Sequence, residues 1–211
     1  MAEPMETQRV VYVIDDDAAM RDSLRSLFAS VGLAVEMFGS ASEFLGKKLP
    51  DAAICLVVDV RLPGLSGLDF QAELSRANIE VPIIFITGHG DIAMTVKAMK
   101  AGAVEFFAKP FRDQDLLDAV KLALEKDETR RGVHKTIGSV RSVYESLTPR
   151  EQEVIKWVTA GLMNKQVAAE MGVSEITVKV HRGNVMRKMG AKSLVELVRM
   201  ADMLGIRNSR T

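Results

Sequence analysis

Apolar positions in the first half of the chain form short compact runs, separated by stretches with a helical beat. The runs are Val10 to Ile14, Ala34 to Phe38, Ala53 to Val58, Pro82 to Thr87 and Val104 to Ala108. Val10 to Ile14 is β-branched and aromatic with no polar break, which predicts a strand buried on both faces, as in a parallel sheet. Between the runs, Ala18 to Ser30 places Met20, Leu24, Leu27 and Phe28 on one face and stops before Gly32, a suitable left-handed residue after a helix. Asp113 to about Glu128 repeats the beat with Leu116, Leu117, Val120, Ala123 and Leu124. Strand and helix alternate five times. That order predicts an α/β fold, a doubly wound five-stranded parallel sheet, with ligands bound outside the carboxyl ends of the strands where the strand order reverses.

The pattern changes after residue 128. TRRGVHKTIGSVRSVYES, residues 129–146, has no sustained apolar period and reads mostly as linker with a helical extension at its start; His134 in it reads as solvated. Helices alone come after it. LTPREQEVIKWVTAG offers Thr148 as N-cap, Pro149 at the first helical position and Glu151 to close a capping box, and buries Val154, Ile155, Trp157 and Val158 before Gly161. Two short helices, about Asn164 to Met171 and Glu175 to Met189, are separated by GVS, with Gly172 in the turn and Ser174 as the second cap. This is a helix-turn-helix order, so a small all-α domain succeeds the sheet. The last helix, Ser193 to about Met203, has an S-x-x-E box and a stripe of Leu194, Leu197, Val198 and Ala201.

Composition adds a division. At 211 residues, 47% hydrophobic and 27% charged, the chain reads as a soluble globular protein with one large or two smaller cores. No apolar stretch approaches the roughly 20 residues of a membrane span, and MAEPMETQRV has no signal-peptide core, so a cytoplasmic protein is expected. Cys55 lies in the apolar run AAICLVV and reads as a small core residue. The zero net charge hides asymmetry: residues 1–128 carry 21 acids against 13 bases, −8, and residues 129–211 carry 7 against 15, +8. A basic C-terminal part suits a polyanion, though a merely solvated basic face has the same composition.

Chemistry collects at the strand ends. VVYVIDDDAAM ends a strand in Asp15, Asp16 and Asp17, and two readings stand side by side: a surface turn whose acids favour a helix N-terminus, or a divalent-metal site. The third strand ends in Asp59, the fourth in Thr87, and the fifth runs into Lys109 before Pro110. Each has an ordinary structural explanation alone. All of them at carboxyl ends of parallel strands make one edge that holds carboxylates, a hydroxyl and an ammonium.

In the basic half, EITVKVHRGNVMRKM splits by helical period. Val178, Val185 and Met189 face a core, with His181 a packed, hydrogen-bonded neighbour. Val180, Gly183, Asn184 and Arg187 lie opposite, flanked by Thr177, Lys179, Arg182 and Lys188. This narrow, basic, glycine-notched face suits the major groove of DNA.

DDD after the first strand, VVDVRLPGLSG, IFITGHGD and FFAKPF together resemble the receiver domain of bacterial two-component response regulators over residues 8–127. The resemblance implies that Asp59 accepts a phosphoryl group from the phosphohistidine of a sensor histidine kinase. It implies Mg²⁺ ligation by Asp16, Asp59 and the main-chain carbonyl of Arg61, with Asp15 acting through a water; Asp17 is then left as a helix cap. Lys109 would contact the phosphoryl oxygens and precede a cis Pro110. Thr87 would donate to the phosphate and let Phe106, a tyrosine in many relatives, turn inward. The surface that responds would run from Asp91 through Ala101 and along the fifth strand, where Ile92, Met94, Val96 and Met99 are divided between core and partner surface in a way the sequence leaves open.

LTPREQEV, NKQVAAEMGVSEITVKVHRGNVMRKM and AKSLVELV resemble the DNA-binding domain shared by the LuxR, NarL and FixJ regulators over residues 143–206, and the order of the two domains resembles the FixJ branch. This implies base contacts from Lys179 and Val180, phosphate contacts from Lys165, His181, Asn184 and Lys188, with Thr177 beside them, and a linker over 128–142. Gly183 replaces a long side chain found in some relatives. The last helix either supports dimerisation on DNA or only completes the core. The combined expectation is a transcriptional regulator, not a dedicated enzyme, that dimerises on phosphorylation and binds promoter DNA, with RNA polymerase a candidate further partner. A phosphatase of haloacid type, which attacks with the first Asp of a D-x-D motif, and an adaptor with two protein-binding domains are the competing classes.

Overall fold

Strands β1 (Arg9–Ile14), β2 (Ala34–Phe38), β3 (Ala53–Asp59), β4 (Ile83–Thr87) and β5 (Glu105–Ala108) form one parallel sheet in the order β2-β1-β3-β4-β5. The computed structural model describes residues 9–88 and 92–206. Helices α1 (Ala18–Ser30), α2 (Ala41–Leu45), α3 (Gly67–Arg76), α4 (Ile92–Lys100) and α5 (Asp113–Glu145) alternate with the strands. Alternate side chains of each strand serve opposite layers. Val11, Val13, Cys55, Val57, Ile84 and Ile86 pack with Leu24 and Phe28 of α1 and Leu116, Val120 and Leu124 of α5. Tyr12, Ile14, Ile54, Leu56, Val58 and Phe85 pack with Phe44 of α2, Phe70 and Leu74 of α3 and Ala98 of α4. Both faces are covered, and each buried aliphatic side chain contributes about 1.5–3 kcal/mol, so the central strands take apolar residues at consecutive positions. Cys55 is fully buried among them, and that burial pushes its thiol pKa up.

The order places a reversal beside β1. The chain leaves β1 for β2 on one side and returns to β3 on the other, so the carboxyl ends of β1 and β3 adjoin, with Ile14 opposite Val58. Local chemistry shapes the turns around this edge. Asp17 caps α1 by accepting from the Ala19 N–H, and Gly32, at φ 74°, succeeds its end as expected. The peptide bond between Lys109 and Pro110 is cis, as the resemblance implied.

The stretch expected to be mostly linker differs. α5 is one helix of 33 residues that continues through Glu145. Local rules pointed the other way, because Gly132 and Gly138 weaken a helix and apolar periodicity lapses. No proline interrupts the chain between Pro110 and Pro149. Distant partners hold both ends. Asp127 is fully buried and accepts from the Ile54 N–H at 3.0 Å, Arg9 pairs with Glu128, and Arg131 pairs with Asp51. Val140, Val143 and Tyr144 at the far end pack into the second core.

The chain divides into two compact units between Arg131 and Gly132. In the second, α6 (Pro149–Thr159), α7 (Asn164–Met171), α8 (Glu175–Met189) and α9 (Leu194–Leu204) surround Val154, Ile155, Val158, Val167, Val178, Val185 and Leu197. The expected caps are present. Thr148 and Glu151 close a capping box on α6, Ser174 accepts from the Thr177 N–H, and Gly172 sits at φ 65° between α7 and α8. In α9 the box is half made: Ser193 accepts from the Glu196 N–H, but the Glu196 carboxylate takes the N–H of Lys192. Leu197 and Ala201 are buried, whereas Leu194, Val195 and Met203 are exposed. No helix of the described residues is long and apolar enough to cross a membrane.

Candidate functional site

The reversal of strand order brings Asp15, Asp59 and Lys109 together. The Lys109 ammonium donates to Oδ2 of Asp15 at 2.8 Å and to Oδ2 of Asp59 at 2.7 Å. Each carboxylate uses its other oxygen on a backbone donor: Asp15 Oδ1 accepts from the Asp17 N–H at 2.9 Å, and Asp59 Oδ1 accepts from the Arg61 N–H at 2.8 Å. Arg21 also binds the Asp15 carbonyl. Asp15 is fully buried, Asp59 nearly so, and Asp16 is exposed beside them. Thr87 is fully buried at the end of β4, where its carbonyl accepts from the Lys109 N–H. The ring of Phe106 is half-buried, 6.3 Å from that of Phe85.

In VVDVRLPGLSG a proline stands four residues and a glycine eight residues after Asp59, and the loop after β3 explains that spacing. Gly67 opens α3 against the backbone of the acid, and a Cβ on it would stand 2.5 Å from the Asp59 carbonyl oxygen and 3.1 Å from the Phe85 ring and the Val60 Cα. Gly64, at φ 81°, turns the chain just before. Ser66 then caps α3.

Charge at this edge is not balanced. Burial pushes the Asp15 carboxyl up, opposed by its hydrogen bonds from Lys109 and the Asp17 N–H. Burial alone would lower Lys109; its hydrogen bonds to Asp15 and Asp59 outweigh that, and its pKa is raised. Stability from the Lys109 contacts is therefore present below the ordinary lysine value and is lost as pH rises through the higher folded one. For Asp15 the raised value means that ionisation is less favourable in the fold than in the unfolded chain, a cost that nearby positive charge reduces. Among the described residues no three His, Cys, Asp or Glu side chains converge closely enough to hold a metal by themselves. An ion here would complete its shell with backbone oxygen and water, as Mg²⁺ does, and the surplus of carboxylates over one ammonium fits a hard dication.

On α4, Met94 and Ala98 pack inward, while Ile92 is 85% exposed and Val96 and Met99 are also exposed. The division left open by the sequence is thus drawn. Asp91 lies outside the described residues.

The second group of candidates lies on α8. Val178, Val185 and Met189 are buried, and Lys179, Val180, Gly183 and Arg187 are exposed on the other side. Thr177 and Asn184 are half-buried, and Lys165 is exposed on α7. Arg182 donates to Asn164 at 3.1 Å, tying α8 to the start of α7. His181 is half-buried as expected, but its buried Nδ1 finds no hydrogen-bond partner among the described residues. Periodicity around the cations passed over one residue. Ile176 stands 77% exposed one turn before Val180, and the same helical spacing places it on the outer stripe.

Lys188 is not free. Its ammonium donates at 2.7 Å to Glu151, whose side chain is 3% exposed and also accepts from the Thr148 N–H. The Lys188 hydrogen bond holds the Glu151 carboxyl below its ordinary value, helped by Thr148 against burial. Lys188→Ala is expected to destabilise the second unit by about 1–3 kcal/mol at pH 7, less than for a fully buried pair because Lys188 is 31% exposed. A depressed carboxyl contributes above its unfolded value, about 4.3, and loses that contribution as pH falls through the folded one. Urea titrations monitored by Trp157 should show the variant's deficit shrinking at pH 3; an equal deficit at both pH values would place the effect elsewhere.

Both groups of residues fall inside regions shared with known proteins. Residues 11–121 match the response regulator receiver domain family, and residues 145–201 match the family of bacterial regulatory proteins, luxR family. Nodulation protein W of Bradyrhizobium diazoefficiens is 60% identical over 97% of this chain and 90% of its own. The transcriptional regulatory protein FixJ of the same organism is 43% identical over 97% of this chain and all of its own. Among solved structures, the response regulator StyR superposes with a TM-score of 0.82 at 47% identity, covering 92% of this chain and 98% of that one.

Proposed function

The chain belongs to the two-component response regulators that join a receiver domain to a luxR-family DNA-binding domain, and from that premise we propose that Asp59 is its phosphoacceptor and that phosphorylation drives dimerisation and promoter binding. The observation that carries this reading is the Lys109 ammonium held between Asp15 and Asp59 where the strand order reverses. An Asp59 carboxylate oxygen attacks the phosphorus of a kinase phosphohistidine; the N–P bond breaks as the O–P bond forms, and the imidazole leaves. The product is an acyl phosphate. Lys109 is placed to track the incoming oxygens as a point charge. Asp15, Asp16, Asp59 and the carbonyl of Arg61 would hold Mg²⁺, which when bound offsets negative charge on the phosphoryl group. The haloacid-phosphatase alternative is disfavoured at Asp15, the first acid after β1, because it is fully buried, whereas Asp59 keeps some exposure.

The switch would pass from the Thr87 hydroxyl to Phe106 and so to the face of α4 and β5, where Ile92, Val96 and Met99 offer apolar area to a second copy. The exposed basic face of α8 then meets the major groove, with Lys179 and Val180 at bases and Lys165, His181 and Asn184 nearer phosphates; Lys188 joins them only to the extent that it leaves Glu151. We place the regulator in the cytoplasm with its sensor kinase, and treat RNA polymerase as a further partner. Sedimentation velocity tests the coupling. Mg²⁺ with beryllium fluoride should shift the full chain toward a dimer, and Thr87→Ala should bind the analogue without that shift. A Thr87→Ala chain that dimerises as readily as the parent would remove the hydroxyl from the switch.

A further inference from the structure

The outward stripe of α8 is more apolar than a phosphate-binding face needs. Positions 176, 180, 183 and 187 succeed one another at helical spacing, and the first three are Ile176, Val180 and Gly183. Ile176 is 77% exposed and Val180 58%, and neither belongs to the core that α8 shares with α6 and α7. Two apolar side chains on successive turns are left in water. Gly183 is equally unexplained from within: a Cβ there would meet nothing within 4 Å, so packing does not require glycine, and glycine weakens a helix interior relative to alanine. Ile176, Val180 and Gly183 therefore suit something outside the chain.

We propose that Ile176 is a sequence-reading residue that, with Val180 and the notch at Gly183, seats an apolar strip on the C5 methyl groups of thymines in the major groove. The proposal rests on α8 being the DNA-contacting helix and goes beyond it by assigning Ile176 and Gly183 and the chemical group they read. The thymine methyl is the apolar group that base edges present in that groove. Ile176 lies near the N-terminus of α8, the end from which recognition helices reach base edges. The two side chains are separated by roughly 6 Å along the helix axis, close to two base-pair steps, so the thymines read lie in one short A·T-rich run. Gly183 lets the middle of α8 approach without a side chain in the way. Lys179 and Arg187 flank the strip and keep it over the duplex, while Arg182 is tied to Asn164.

The experiment uses the full chain with Mg²⁺ and beryllium fluoride. Binding sites are enriched from random duplex DNA, and each thymine of the enriched site is then replaced singly by deoxyuridine, which removes only the methyl. The parent should lose about threefold to tenfold in affinity at one or two of these positions. Ile176→Ala should erase the penalty at one of them, with binding to random DNA and its salt dependence unchanged. Because Ile176 is exposed, that variant should melt with the parent. Gly183→Ala should melt higher than the parent yet bind the enriched site at least about tenfold more weakly, a pairing that a purely structural glycine does not give. A uracil penalty of the same size in Ile176→Ala as in the parent, or a parent indifferent to every replacement, would overturn the strip while leaving α8 a DNA-binding helix. A parent that binds no DNA would overturn the reading of α8 itself, and the strip with it.

Discussion

Asp59→Asn should leave the chain unlabelled by a small donor such as phosphoramidate with Mg²⁺, with incorporation at least about a hundredfold below the parent. The amide offers no anionic oxygen to attack phosphorus and is a poorer ligand for a hard dication. The variant should remain folded. Its amide oxygen can still accept from the Arg61 N–H, and Lys109 keeps Asp15 as a partner. Among the neighbouring acids, Asp15 is sealed from solvent and Asp17 caps α1, which leaves exposed Asp16 as the rival acceptor. Persistent acid-labile label on Asp59→Asn, lost on further changing Asp16, would move the acceptor there.

Gly67→Ala is expected to cost the first unit about 2–4 kcal/mol, a large share of the stability of a small domain. A methyl 2.5 Å from the Asp59 carbonyl oxygen must displace either the end of β3 or the start of α3, because the neighbour is backbone and not a flexible side chain. Gly46→Ala is the control. Its Cβ would make only an ordinary 3.7 Å contact, at a backbone φ of −75° open to any residue, so about 0.5 kcal/mol or less is expected. Calorimetric melting of both variants decides the matter. Equal melting temperatures would mean that the turn between Asp59 and Gly67 relaxes freely.

The spacing that carries this prediction was legible in the chain, and so was much of the first unit. Parallel strands covered on both faces demand apolar side chains at consecutive positions, so β1 and β3 announce themselves as unbroken runs. Caps such as Asp17, Thr148 and Ser174 act on N–H groups two or three residues away, which is the range over which local patterns operate. Long-range pairings were hidden. α5 continues because Asp127 reaches Ile54, 73 residues away, and no periodicity within 129–146 could report that. Lys188 lay on the flank of the expected DNA face, yet its partner Glu151 is 37 residues distant and doubles as the acid of a capping box. Ile176 was within reach of helical spacing; the surrounding cations masked an apolar residue on the same stripe. His181 shows a further limit, since a wheel places a ring beside the core without saying which nitrogen finds a partner.

The claim that phosphorylation at Asp59 governs what α8 does on DNA can be tested in a single titration. The affinity of the full chain for its enriched duplex is measured at fixed salt, with and without beryllium fluoride and Mg²⁺, for the parent and for Asp59→Asn. The parent should bind at least about tenfold more tightly with the analogue, and Asp59→Asn should bind alike in both conditions, at the level of the untreated parent. A parent that binds equally with and without the analogue, or an Asp59→Asn chain that gains as much from it, would contradict the assignment of Asp59 as the switch.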